Sequence, residues 1–182
     1  MKEPTAADTL YDFTIPVFIR TLESASKILD IAERHARQNE IEPATLLTAR
    51  LYPNMYTLLQ QLQYLCYLPV EFAKHFSAAT APRVGYDEKT LEDLKASFRL
   101  TLKYLRGVKP AQFKGQEKRL LPLFFDESKG MRADALTQRL ILPNFFFHTT
   151  VAYAILRHIG VPLGKMHFLG PLDAVPLKKG KR

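Results

Sequence analysis

Apolar residues return at steps of three and four through Phe18, Leu22, Ala25, Ile28, Leu29, Ala32 and His35. That spacing sets them on one stripe of an α-helix. Thr14 stands where a cap belongs and Pro16 where a first turn tolerates proline; the pattern ends at Gln38 and Asn39. Glu42 and Pro43 predict a short helix through Leu47, and Pro53 opens a second long helix over residues 54–77, bent at Pro69. Residues 79–87, with Pro82 and Gly85, read as loop. Thr90 and Asp93 form a capping box for a third helix, striped by Leu91, Leu94, Phe98, Leu102 and Leu105 and closed by Gly107 and Pro110. Residues 119–125 and 131–133 flank the polar run DESKG and predict a small hairpin. A fourth long helix starts at Asp134 or Pro143 and reaches His158, where Gly160 and Pro162 end it. The pattern is that of an all-α, up-down four-helix bundle with a small hairpin insertion before the last helix. A single domain spans residues 1–170, and 171–182 form a basic C-terminal tail.

Two stretches carry no charge, residues 51–70 and 140–156. The first is twenty residues, long enough to span a bilayer. It also holds Pro53, Asn54, Gln60, Gln61, Gln63 and Pro69, which hydrocarbon would penalise. The better reading makes helices two and four the central buried pair of a soluble bundle. Both carry polar groups inside their apolar runs: Gln60, Gln61 and Gln63 on one, Asn144, His148 and Thr149 on the other. Buried polar groups need partners. Facing each other, the two sets line a polar pocket. The catalytic candidates are His148, Gln61 and Asn144; the substrate-binding candidates are Gln63, Tyr11, Tyr52, Phe147 and Tyr153. Asn144 and His148, four apart, share one helix face. An amide oxygen is a poor ligand for zinc or nickel, so neither a metal nor another cofactor is assigned. The plain alternative makes His148 a hydrogen-bonded core histidine. His35, His75, His158 and His167 lie at or beyond helix ends and read as capping or surface residues.

Composition narrows the function classes. The 182 residues are 47% apolar and 24% charged, an ordinary globular balance. Lys and Arg outnumber Asp and Glu, 26 to 18, and Lys178, Lys179, Lys181 and Arg182 concentrate part of the excess in the tail. No basic stripe interleaved with aromatics marks a nucleic-acid surface. Cys66, alone within YLCYL, reads as a small buried hydrophobe and fits a reducing, cytoplasmic compartment. The first residues lack the apolar core of a secretory signal. Gly-rich phosphate loops, GxSxG, HExxH and CxxC are absent. The expected partner is a small organic molecule, with no nucleic acid and no membrane.

Four segments carry a resemblance: YDFTIPVFIRTLESASKILDIAERHA at 11–36, ARLYPNMYTLLQQLQ at 49–63, VKPAQFKG at 108–115, and LPNFFFHTTVAYAILRHIGVPLGKMHFLG at 142–170. Together they resemble an uncharacterised fungal and bacterial family, a domain of unknown function in the DinB/YfiT-like superfamily. The resemblance implies a four-helix bundle, often dimeric, so a homodimer is expected. Many superfamily members hold a divalent metal through three histidines at one bundle end, and some are thiol-dependent transferases. His148 matches the second histidine of the final His-x-x-x-His motif, but Asn144 stands at the first. The helix-two histidine falls near Gln61 or Gln63. Two further positions, usually acidic in the family, are Tyr67 and His167 here, which implies a pocket turned toward a more apolar ligand.

Three functions remain open on this reading. One is a metal-independent enzyme of isomerase, dehydratase or cyclase type, acting by proton transfer or positioning on a small apolar molecule. Another is a metal-dependent DinB-like transferase or hydrolase using His148 with amide or water ligands. The last is a non-catalytic, dimeric small-molecule-binding protein.

Overall fold

The first long helix, α1 (Ile15–Gln38), follows its apolar stripe: Phe18, Leu22, Ala25, Ile28, Leu29 and Ala32 are all buried. Thr14 precedes it, but its hydroxyl donates back to the Leu10 carbonyl at 2.7 Å instead of capping the helix. The computed structural model describes residues 10–177. After α1 come α2 (Pro43–Thr48), α3 (Leu58–Ala73) and α4 (Leu91–Gly107). A 3₁₀ turn (Pro110–Phe113) leads to strands β1 (Leu120–Leu123) and β2 (Asp126–Arg132). The chain closes with α5 (Ala133–Leu136), a π-helical turn (Thr137–Ile141), α6 (Leu142–His158) and α7 (Lys165–Leu169).

Helix α3 begins four residues later than its lack of charge predicts. The Gln60 amide N–H donates to the Thr57 hydroxyl, and the Thr57 N–H donates to Gln60 Oε1 at 2.9 Å. This reciprocal capping fixes the first turn and removes Gln60 from the polar core set; Gln60 is exposed. At its other end α3 passes through Pro69 and stops at Ala73, short of residue 77. Replacing Thr57 with alanine should cost about 1 kcal/mol in urea denaturation. An unchanged midpoint would show that the cap contributes nothing.

Helix α4 starts as the sequence predicts, with the Asp93 N–H donating to Thr90 Oγ1 at 3.1 Å and the Thr90 N–H to Asp93 at 3.0 Å. The fourth long helix is more complicated. Its two candidate starts, Asp134 and Pro143, bracket the π turn. In a regular α-helix the Pro143 ring would meet the carbonyl of Arg139 four residues back. The wider turn over 137–141 relieves that clash and lets the helical path continue.

The hairpin forms, with a different turn. Leu120 pairs with Arg132 and Leu123 with Asp126, and the register slips between Pro122 and Leu123. DESKG therefore lies within β2, and the connection is Phe124-Phe125. Most of β2 is exposed, which is why a polar run suits it. The chain is mostly helical, with this two-stranded sheet beside the helices.

Helix α3 packs most extensively on α6, α1 packs on α4, and α4 also contacts α3. Phe18 of α1 meets Phe72 of α3 and Phe145 of α6 edge-on, at 6.2 and 4.8 Å between centroids. Leu62, Leu65, Cys66 and Leu68 bury the inner face of α3. Burial raises the pKa of the Cys66 thiol, which keeps it protonated and unreactive. On α6, Phe145, Ala152 and Leu156 are buried while Phe146 and Phe147 are exposed. The charge-free run over 140–156 therefore marks an aromatic surface as well as a core. Helix α7, which the apolar pattern did not announce, rests on α1 and brings Phe168 to 5.7 Å from Tyr153. His167 Nδ1 accepts the Gly164 N–H at 2.8 Å, a helix-end role. Among the described residues, no helix is long and apolar enough to cross a membrane. The extreme N-terminus and Lys178, Lys179, Lys181 and Arg182 lie outside the described residues.

Candidate functional site

Gln61 sits one turn into α3, and His148 one turn beyond Asn144 on α6. The α3–α6 packing brings them together. His148 Nδ1 and Gln61 Oε1 are 2.6 Å apart. The direction of this bond follows from the other end of Gln61, whose Nε2 donates to the Tyr56 carbonyl at 3.2 Å. With its nitrogen so used, the amide turns its oxygen to His148. Nδ1 must then carry the proton, leaving a lone pair on Nε2. Gln61 is 1% exposed and His148 5%. No other described side chain takes Nε2.

The histidine ring is held flat. Tyr64 stacks on it at 4.3 Å, Tyr56 lies beyond at 6.2 Å, and Phe147 meets it edge-on at 5.3 Å. Next to it opens a cavity of about 740 Å³. Its walls come from three places: Tyr56 just before α3 with Gln61 and Tyr64 on it; Arg139, Asn144, Phe147 and His148 along the π turn and α6; and Phe124 and Phe125 at the hairpin tip. The hairpin's aromatic turn therefore contributes to the same cavity.

Burial lowers the pKa of His148 to about 4, so the ring is neutral at pH 7. The Tyr56 hydroxyl, and then burial, push Tyr64 up to about 12, so its phenol stays protonated. Linkage gives the first consequence a sign. The unfolded chain binds a proton at this histidine from about pH 6.5 downward, whereas the folded chain resists until about 4. Stability should fall across that window by about 2 kcal/mol more in the wild type than in His148→Gln. Thermal melts at pH 7 and pH 4.5 check this; parallel losses in the two proteins would contradict it.

Of the residues singled out in the sequence, Gln61, Asn144, Phe147 and His148 meet at the cavity. The other four are elsewhere. Gln63 turns to the loop before α4, where Nε2 donates to the Glu88 carbonyl at 3.1 Å and its carboxylate at 3.4 Å. Tyr11 lies edge-on to Phe113 and donates to the Val108 carbonyl at 3.4 Å. Tyr153 packs on Phe168, and Tyr52 is 63% exposed, off the cavity wall. Sequence reasoning passed over Tyr56, Tyr64, Phe124, Phe125 and Arg139. Tyr64 had a signal: three residues after Gln61, it shares that helix face.

A superfamily-type metal centre needs three converging nitrogen ligands. Here one imidazole nitrogen is free, and Gln61 is committed to His148 and Tyr56. Among the described residues, no three His, Cys, Asp or Glu side chains converge on a common point. This donor set does not fit such a centre.

The helical fold, with a cavity beside the packing of α3 on α6, is that of a DinB-like protein. It matches the crystal structure of a DinB family member from Shewanella denitrificans with a TM-score of 0.89 and 28% identity, covering 97% of this chain and 100% of that one. Residues 10–169 match the model of the Domain of unknown function (DUF1993), and the chain belongs to that family. No curated protein matches it.

Proposed function

We propose that this DinB-like four-helix bundle binds a small, largely apolar organic molecule beside His148 and acts on it without a metal. The reaction is of isomerase, dehydratase or cyclase type. One observation carries the reading: the chain from the Tyr56 carbonyl through Gln61 to His148 Nδ1 fixes the tautomer that offers an Nε2 lone pair. A neutral, oriented imidazole accepts a proton or a hydrogen bond from a bound molecule. The protonated Tyr64 phenol, engaged with the Tyr56 hydroxyl, lies on the same wall. Aromatic surfaces supply the contact area that holds an apolar body in place.

A binding protein without turnover is the second reading, favoured by the low basicity of His148. A base with pKa about 4 has little driving force for taking a proton from carbon at neutral pH. A compound screen by NMR on chelator-treated protein tests the metal-free part. Binders should appear and shift the His148 ring resonances. Binding that requires added zinc or nickel would overturn it.

The reading includes a homodimer in a reducing, cytoplasmic setting, in keeping with the single buried thiol. Phe13, Phe125 and Phe146 offer exposed aromatic surface for pairing. Sedimentation velocity should show a species of twice the chain mass. A monomer at high concentration would remove the dimer.

A further inference from the structure

We infer that the cavity's ligand is an organic anion: a flat apolar body carrying a carboxylate, which Arg139 receives at the cavity wall. The inference rests on the reading of the His148 cavity as the binding site and names the ligand class it takes. The charge inventory of the walls supports it. No Asp or Glu lines the cavity, and Arg139 is its one charged lining residue. His148 adds no charge, because it is neutral above about pH 4.

Arg139 also has no protein partner among the described residues, in hydrogen bonds or ion pairs. Its neighbours along the chain differ. Arg132 pairs with Asp134 at 2.5 Å, and Arg119 donates to the His75 carbonyl at 2.9 Å. The π turn that accommodates Pro143 puts Arg139 on the same cavity wall as Asn144. The Asn144 amide likewise has no side-chain partner among the described residues. A guanidinium fork and a free carboxamide are suited to a carboxylate, which takes two parallel N–H donors. A lone positive charge beside low-dielectric aromatic walls also concentrates anions. The rings of Tyr64, Phe124 and Phe147 then cover the remainder of the molecule.

Two probes of equal shape separate charge from fit: 2-naphthoate and its neutral amide, 2-naphthamide. Calorimetric titration of the wild type should give about tenfold tighter binding of the carboxylate. Arg139→Gln should weaken 2-naphthoate about tenfold, leave 2-naphthamide unchanged and bring the two within about twofold. Arg139→Lys should keep part of the preference, because it keeps the charge but not the fork. Added salt should weaken only the carboxylate. Equal wild-type affinities, or a preference that survives Arg139→Gln, would overturn the anion inference. In that case perturbation of the His148 ring by 2-naphthamide would leave the cavity reading standing. Failure of both probes to bind would overturn the two together.

Discussion

Exchanging His148 for glutamine should remove turnover by a factor of about 10² or more while the protein stays folded. The variant separates chemistry from structure. A glutamine side chain supplies an N–H donor to Gln61 Oε1, which sits 2.6 Å from the imidazole and is almost fully buried. It supplies no basic nitrogen in place of Nε2. The folded state should lose no more than about 1.5 kcal/mol, since the buried acceptor keeps a partner. His148→Ala is expected to lose both, because it strands that acceptor and leaves a void. Gln61→Ala should reduce turnover too, by releasing the tautomer and the ring. If His148→Gln keeps full turnover, the imidazole is a structural hydrogen-bonding group and the reaction uses other atoms. The comparison requires an assay with a molecule that the protein turns over; with a binder alone, the same variants report affinity.

Glu88→Ala should be the most destabilising single substitution outside the apolar core, at about 3 kcal/mol in chemical denaturation. Glu88 is 8% exposed, and its carboxylate collects the Gly85 N–H at 2.7 Å, the Ser97 hydroxyl and Gln63 Nε2 at 3.4 Å. Removing it leaves the Gly85 N–H and the Ser97 hydroxyl without an acceptor, while Gln63 Nε2 keeps the Glu88 carbonyl. Burial raises its pKa, but the bonds from Ser97, the Gly85 N–H and Gln63 outweigh burial and hold the carboxyl below its ordinary value. The stabilisation is therefore present above about pH 4.5 and lost as pH falls through the lower, folded value. Gly85 gives an independent check. Its φ is +80°, and an added Cβ would come within 2.6 Å of the Gln63 carbonyl oxygen. Gly85→Ala should accordingly destabilise the same loop. A loss under 1 kcal/mol in both variants would show that the loop is not anchored by this network.

The helical elements were legible because their signals are local. The stripe of α1 and the Thr90–Asp93 capping box need only their own residues to form. Thr57 and Gln60 form an equally local box. Pro53 and a charge-free run drew the predicted start upstream of it. In the hairpin, DESKG looked like a connection because it is polar, but an exposed strand is polar for the same reason.

The candidate site was legible only in its centre. His148, Asn144 and Gln61 stand out as polar residues in apolar runs, and the packing of α3 on α6 unites them. Gln63 is two residues from Gln61, about 200° around the helix, so one cavity cannot take both. Tyr153 is five residues from His148 and likewise turns to another face. Phe124, Phe125 and Arg139 reach the cavity through tertiary placement of the hairpin and through the π turn, and neither leaves a periodic trace.

The most direct test of the site is the nitrogen chemistry of the His148 ring, read by long-range proton–nitrogen correlation NMR at pH 7. The Gln61 bond predicts a neutral ring protonated on Nδ1, with an unprotonated Nε2 resonance that moves when 2-naphthoate or another binder is added. A ring protonated on Nε2, or an Nε2 resonance that stays fixed while a ligand binds, would contradict the placement of the functional site at His148.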